Sequence, residues 1–151
     1  MGGTKVSLFG DYDPDNIFAK ILRGAAPCYK VFEDSDVLAF LDLFPQSRGH
    51  TLVIPKRGTA RNILEVDPDT LSVLFRAAQK LAKGLVAELE PDGIQVCQFN
   101  GGPSGQSVFH IHVHLIPRWG NQPLGMHARD KGDPVELEAL ALRLAARFGS
   151  Q

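Results

Sequence analysis

Residues 107–118 read SVFHIHVHLIPR, and from His110 to Leu115 histidine and aliphatic side chains alternate without a break. A strict period of two has one regular solution, an extended strand. His110, His112 and His114 then share one face, and Ile111, Val113 and Leu115 share the other. Neighbouring imidazoles on that face stand about 6.5–7 Å apart at their backbones. The aliphatic row demands a core to cover it, so the chain must build a sheet with one face packed and a row of histidines on the opposite face.

The remaining segments supply what such a sheet needs. KVFEDSDVLAFLDLF (30–44) reads as two strand-forming runs around a turn at Glu33-Asp34-Ser35-Asp36, and GHTLVIPK (49–56) reads as another strand. GIQVCQFN (93–100) is joined to the histidine strand (107–118) by the loop GGPSGQ. Residues 68–89 carry Leu71, Leu74, Phe75, Ala78, Leu81, Ala82, Leu85 and Leu89 on one helical face, which marks a long amphipathic helix. A short helix is expected in DPDNIFAKILRG, capped by Asp13 or Asp15 and ended by Gly24. A terminal helix is expected in DPVELEALALRLAARFG, opened by Asp133 and closed by Gly149. The short connections favour antiparallel pairing. The expected fold is α+β, with an antiparallel sheet of about five strands and helices on one side of it. Strand order is not legible in this pattern.

At 151 residues the chain is long enough for one domain with a substantial core. Sixteen basic residues against seventeen acidic ones leave a formal charge of −1. That balance offers neither nucleic acid nor a membrane surface a bulk electrostatic partner. A small anion held in a local pocket remains open. Cys28 and Cys97 are far apart and read as buried thiols of a reducing compartment, and the N-terminal residues form no apolar signal segment. The expected location is the cytoplasm.

Three readings of the histidine row compete. One histidine in a strand is ordinarily structural, but three adjacent imidazoles on one face gain nothing in packing and each needs hydrogen-bond partners. Metal binding suits paired imidazoles, although further ligands would have to come from His50 or His127, the other two histidines. Phosphate chemistry is the third reading. NGGPSGQSV (100–108) precedes the row, where glycines let backbone N–H groups approach anionic oxygens and Ser107 adds a hydroxyl. Imidazoles next to such a loop can supply a nucleophile, a donor and phosphate contacts without a metal.

Asn100 together with GQSVFHIHVHLI resembles the signature of the histidine-triad (HIT) family, His-φ-His-φ-His-φ-φ with φ hydrophobic. NIFAKILRGAAPCYKVFEDSDVLAFLDLFPQSRGHTLVIPK is similar to the N-terminal half of that family. The resemblance spans roughly residues 15–118 as the domain, with residues 1–14 as an N-terminal extension and 119–151 as a tail and helix completing the same domain. It implies the family's α+β fold, with the sheet extended across a homodimer through residues 68–89 and 93–100.

The resemblance also implies a nucleotidyl hydrolase that attacks an α-phosphate of a purine nucleotide, with adenosine expected. Adenosine phosphoramidates and dinucleoside polyphosphates are the substrate classes. His112 is implied as nucleophile, with His114 and Ser107 at the phosphate and leaving group, and His110 and His50 in support. Asp42 is implied for the ribose hydroxyls, Phe18, Ile21, Phe40 and Leu43 for the base, and Asn100, Gly105 and Gln106 for the phosphate loop. No cofactor or metal is expected. Many family members hold a structural zinc through Cys-x-x-Cys at the first helix. This chain has Asn16 and Ala19 at those positions, while Arg118-Trp119 resembles the dinucleoside polyphosphate branch. A slow-turnover nucleotide-binding regulator and a metal-dependent enzyme using the histidine row remain the alternatives.

Overall fold

The structure, a computed structural model, describes residues 7–124 and 130–149. Five antiparallel strands form one sheet in the order β1-β2-β3-β5-β4. They are β1 (Lys30–Glu33), β2 (Val37–Leu41), β3 (Thr51–Pro55), β4 (Gly93–Cys97) and β5 (Val113–Arg118). Three α-helices accompany them: α1 (Ile17–Leu22), α2 (Pro68–Leu89) and α3 (Pro134–Gly149). Among the described residues no helix is long and apolar enough to cross a membrane.

The β1–β2 turn forms because the Asp34 carboxylate accepts the N–H groups of Asp36 and Val37, both at 2.8 Å. Helix α2 begins where Asp67 accepts the N–H of Thr70 at 2.8 Å, with Pro68 supplying the preset φ of a first helical residue. Its Leu74, Ala78, Leu81, Leu85 and Leu89 are buried, together with Leu137, Leu140, Leu144 and Phe148 of α3. These pack over Val31, Ala39, Leu41, Val53, Ile111, Val113 and Leu115 of the sheet side. Each such aliphatic side chain taken out of water contributes roughly 1.5–3 kcal/mol. Phe75, expected within the buried face of α2, is 37% exposed, because it lies on the flank of the stripe centred on Leu74, Ala78 and Leu81.

Helices are not confined to one side. Phe18 of α1 is buried against Leu38, Phe40, Leu52 and Ile54 on the opposite face from α2 and α3. All residues of β2 and β3 are therefore buried. The reason is the continuous apolar composition of VLAFL and TLVI, which leaves neither face fit for water. Helix α1 is capped by Asn16, whose side chain accepts the N–H of Ala19 at 2.9 Å, rather than by Asp13 or Asp15. Asp13 instead shapes the turn before it, accepting the N–H of Asp15.

Strand β5 is shorter than residues 107–118. It pairs with β3 only from Val113 to Leu115 and with β4 only from His114 to Arg118. Before that point the N–H of Ile111 bonds the carbonyl of Ala60 outside the sheet, at 3.0 Å. His110 and His112 thus precede the ladder, yet the alternation survives: Ile111 faces the main core and the imidazoles face α1. Cys28 and Cys97 are unpaired and half-buried rather than fully enclosed.

Candidate active site

Four of the five histidines converge on the α1 face of the sheet. The rings of His112 and His114 are 4.9 Å apart between centroids, and those of His50 and His114 are 5.3 Å apart. The rings of Phe18 and His112 stand nearly perpendicular, 4.9 Å apart between centroids. His127 lies outside the described residues.

Backbone groups decide which nitrogen of each imidazole carries the proton, because a carbonyl only accepts and an N–H only donates. Nδ1 of His112 lies 2.8 Å from the carbonyl of His110, so Nδ1 holds the proton and Nε2 keeps its lone pair. Nδ1 of His50 accepts the N–H of Gln46 at 3.0 Å, so the His50 proton sits on Nε2. That Nε2 is 3.0 Å from Nδ1 of His114 and donates to it, which leaves the His114 proton on Nε2. Nε2 of His110 donates to the carbonyl of Pro55 at 3.0 Å, and its Nδ1 accepts from the Tyr12 hydroxyl at 2.8 Å. Two adjacent rings are wired with opposite polarity, a lone pair on His112 and a donor on His114.

The site favours neutral imidazoles. Burial pushes His112 down to about 3, with neighbouring His114 adding to the effect. Burial, and then the Arg118 guanidinium, hold His50 at about 3, and burial together with His50 holds His114 at about 4. His110 is also lowered by burial, against the opposing pull of its bond to Pro55.

His50 reaches this position through a compact loop. Gly49 adopts φ +87°, and a Cβ there would stand 2.5 Å from a Leu89 methyl, so the chain passes close over α2 only without a side chain. Asp42 closes the other end of the loop, its N–H bonded to the carbonyl of His50 at 2.9 Å. One Asp42 oxygen accepts the N–H of Phe44 at 2.9 Å, and the other lies 3.4 Å from Nε2 of His50. Burial raises the Asp42 pKa, with the Phe44 N–H pulling the other way.

The glycine-rich loop is braced from inside. Gln106 is buried, accepting the N–H of Gly101 at 2.8 Å and donating to the carbonyls of Arg61 and Val108 at 2.6 and 3.0 Å. The Asn100 side chain accepts the N–H of Ile63 at 2.9 Å and the Gln98 amide at 2.8 Å. Gly105 takes φ +113°, which turns the chain back toward the histidines. Ser107 is exposed and makes no hydrogen bond to any described residue.

The residues expected at a base pocket share this face. Phe18 and Phe40 meet edge to face at 5.4 Å, with Ile21 packed beside them. Leu43 stands apart, 37% exposed just beyond Asp42. Tyr12, Gln46 and Phe99, whose ring lies 5.4 Å from His114, belong to the site without a sequence signal. Each acts through a neighbour that only folding supplies.

The histidine row is not a three-imidazole metal centre, since both nitrogens of His110 and Nδ1 of His112 are taken by protein groups. The described donors able to converge on one ion are Asp42, His50 and His114, whose ligand atoms lie within 4.8 Å of one another. There the two imidazoles already bond each other, and Arg118 adds a nearby positive charge.

The family model described as the HIT domain matches residues 23–121. Protein hit of Bacillus subtilis is 40% identical over 138 residues, covering 89% of this chain and 94% of that protein. Adenylylsulfatase HINT3 of Arabidopsis thaliana is 33% identical over 120 residues, covering 76% of this chain and 60% of that protein. The crystal structure of a Hit-like protein from Bartonella henselae superimposes with a TM-score of 0.83 at 43% identity, covering 91% of this chain and 98% of that one. A loop-and-row signature, a five-stranded antiparallel sheet and likeness along most of the chain agree: this protein belongs to the histidine-triad family.

Proposed function

We propose that the protein is a nucleotidyl hydrolase that cleaves an adenosine nucleotide at its α-phosphate and releases the nucleoside monophosphate. The opposed tautomers of His112 and His114 carry this reading. Nε2 of His112 attacks phosphorus with its lone pair, forming the N–P bond as the bond to the leaving group breaks. The resulting imidazolium keeps its Nδ1 proton and donates a strengthened hydrogen bond to the carbonyl of His110. Nε2–H of His114 donates to the phosphate or to the departing atom, which leaves with the bonding pair. Water then forms the new O–P bond, the N–P bond breaks, and one water proton passes to solvent.

The other assignments are part of the same proposal. Asp42 accepts from the ribose hydroxyls, Phe18, Ile21, Phe40 and Leu43 receive the base, and Ser107 with the Gly105 loop holds phosphate oxygens. Phosphoramidates, mixed anhydrides and dinucleoside polyphosphates all present the required α-phosphate. The similarity to an adenylylsulfatase supports an adenosine mixed anhydride within that range. The working unit is taken to be a cytoplasmic homodimer, needing no metal.

The test is turnover of adenosine phosphosulfate, adenosine phosphoramidate and a diadenosine polyphosphate by the wild type and by His112→Ala. The wild type should release adenosine monophosphate, and quenching should trap the nucleotide on a histidine. The variant should bind nucleotide without turnover. Wild-type protein that binds nucleotides but cleaves none would favour a binding protein over an enzyme.

A further inference from the structure

The carbonyl of His110 sets the tautomer of His112, yet no strand pairing holds that carbonyl in place. Residues 110–112 precede β5, whose ladder begins at Val113. Two other contacts do the holding. One is the bond from Ile111 N–H to the carbonyl of Ala60, at 3.0 Å. The other is the His110 ring, buried and gripped at both nitrogens, by the carbonyl of Pro55 and by the hydroxyl of Tyr12.

Tyr12 reaches this ring on an arm that is built into the protein. The Arg61 guanidinium donates to the carbonyls of Ser7 and Asp11 at 2.9 and 3.2 Å, and the Asn62 amide donates to the carbonyl of Leu8 at 2.9 Å. Arg61 and Asn62 are 2% and 0% exposed. A buried guanidinium needs acceptors, and the arm's main chain provides them. The arm and the turn at residues 61–62 therefore stabilise each other, and the arm places Tyr12 where the ring requires a donor.

We infer that Tyr12 is a positioning residue for the reaction: its hydroxyl anchors the His110 ring, and the anchored residue holds the carbonyl that keeps His112 in its nucleophilic tautomer. The inference rests on the reading of His112 as nucleophile given above. Without the hydroxyl, Nδ1 of a buried His110 lacks its donor, and the ring is held at Nε2 alone, by the carbonyl of Pro55. The His110 backbone then loosens, and His112 spends time with its proton on Nε2, where it cannot attack. Tyr12 touches no substrate in this scheme, so binding should be spared.

The experiment compares the full-length wild type with Tyr12→Phe, using 15N-histidine NMR of the imidazoles alongside kcat and KM on adenosine phosphosulfate. In the wild type, His110 should show one Nε2–H tautomer and His112 one Nδ1–H tautomer. In Tyr12→Phe the His112 signals should move toward a tautomer mixture. Turnover should fall roughly fivefold to tenfold, the worth of one neutral hydrogen bond, with KM little changed. An unaltered His112 tautomer or an unaltered kcat in the folded variant overturns the inference. So does a wild-type His110 protonated on Nδ1, which needs no variant to observe. A wild type that cleaves no nucleotide removes the reaction itself, and the His112 tautomer comparison separates that failure from a failure of Tyr12 to act on the ring.

Discussion

Nε2 of His50 lies 3.0 Å from Nδ1 of His114, and the direction of that hydrogen bond is set one step further back, by the backbone N–H of Gln46. A main-chain donor thus dictates which face of a distant imidazole presents a proton. Removing His50 frees Nδ1 of His114 to take that proton and turns the outer nitrogen from donor to acceptor. His50→Ala should therefore lower kcat about 10–100-fold, at or below the lower end of general acid–base effects, while KM changes little. Steady-state kinetics check this; a KM effect larger than the kcat effect would count against the donor role.

Asp42 has one oxygen bonded to Phe44 N–H and the other facing the neutral His50. If the second oxygen takes the ribose hydroxyls, the ribose form of a substrate should be preferred over the 2′-deoxy form by on the order of 1–3 kcal/mol in kcat/KM. Asp42→Asn should erase most of that preference. Paired rates on ribose and deoxyribose analogues measure it. Equal rates with the wild type would remove Asp42 from the sugar site.

The site histidines couple stability to pH in a definite direction. Unfolded, each binds a proton near 6.5, whereas folded His114 waits until about 4 and His50 and His112 until about 3. Between those values the unfolded chain holds more protons, so stability is complete above pH 6.5 and is lost as pH falls toward 4 and 3. Each histidine that stays neutral contributes about 1.4 kcal/mol per pH unit to that slope. Urea denaturation at a series of pH values should show the loss beginning near 6.5. The acid limb of kcat/KM should lie well below that value, since His112, the proposed nucleophile, remains unprotonated.

Gly84 of α2 lies against Phe148 of α3: a Cβ there would overlap the Phe148 ring, which is 1% exposed. Gly84→Ala should destabilise the fold by about 1–3 kcal/mol despite the better helix propensity of alanine. Melting temperature should fall by about 2–4 °C for each kcal/mol, with kcat unchanged because the contact lies on the sheet face away from the histidines. Adding Phe148→Leu should recover part of the loss. A melting temperature at or above the wild type's would show that the ring yields freely.

Strand β4 is an edge of the sheet, and Val96 on it is 50% exposed, with Phe75 and Val86 of α2 at 37% and 42%. Pairing of this edge with a second copy would cover those side chains and complete the strand's hydrogen bonds. Light scattering at micromolar concentration should give the mass of two 16.5 kDa chains, and Val96→Glu should shift it toward one. A monomeric wild type would dismiss the dimer.

Local periodicity carried a large part of this protein in its sequence. The bounds of α2, the Asp34 turn and the alternation that splits Ile111, Val113 and Leu115 from the histidines are all set by neighbours within a few residues, so they are legible before folding. The convergence of His50 on His114, sixty-four positions apart, was expected only from family resemblance. What folding alone settled is the state of each ring. Gln46, Pro55 and the carbonyl of His110 choose the protonated nitrogens, and Tyr12 reaches His110 across ninety-eight positions. A side chain's type is written in the chain, but the placement of its proton depends on the backbone groups that surround it, and those are brought together only when the sheet, the loops and the N-terminal arm have closed on one another.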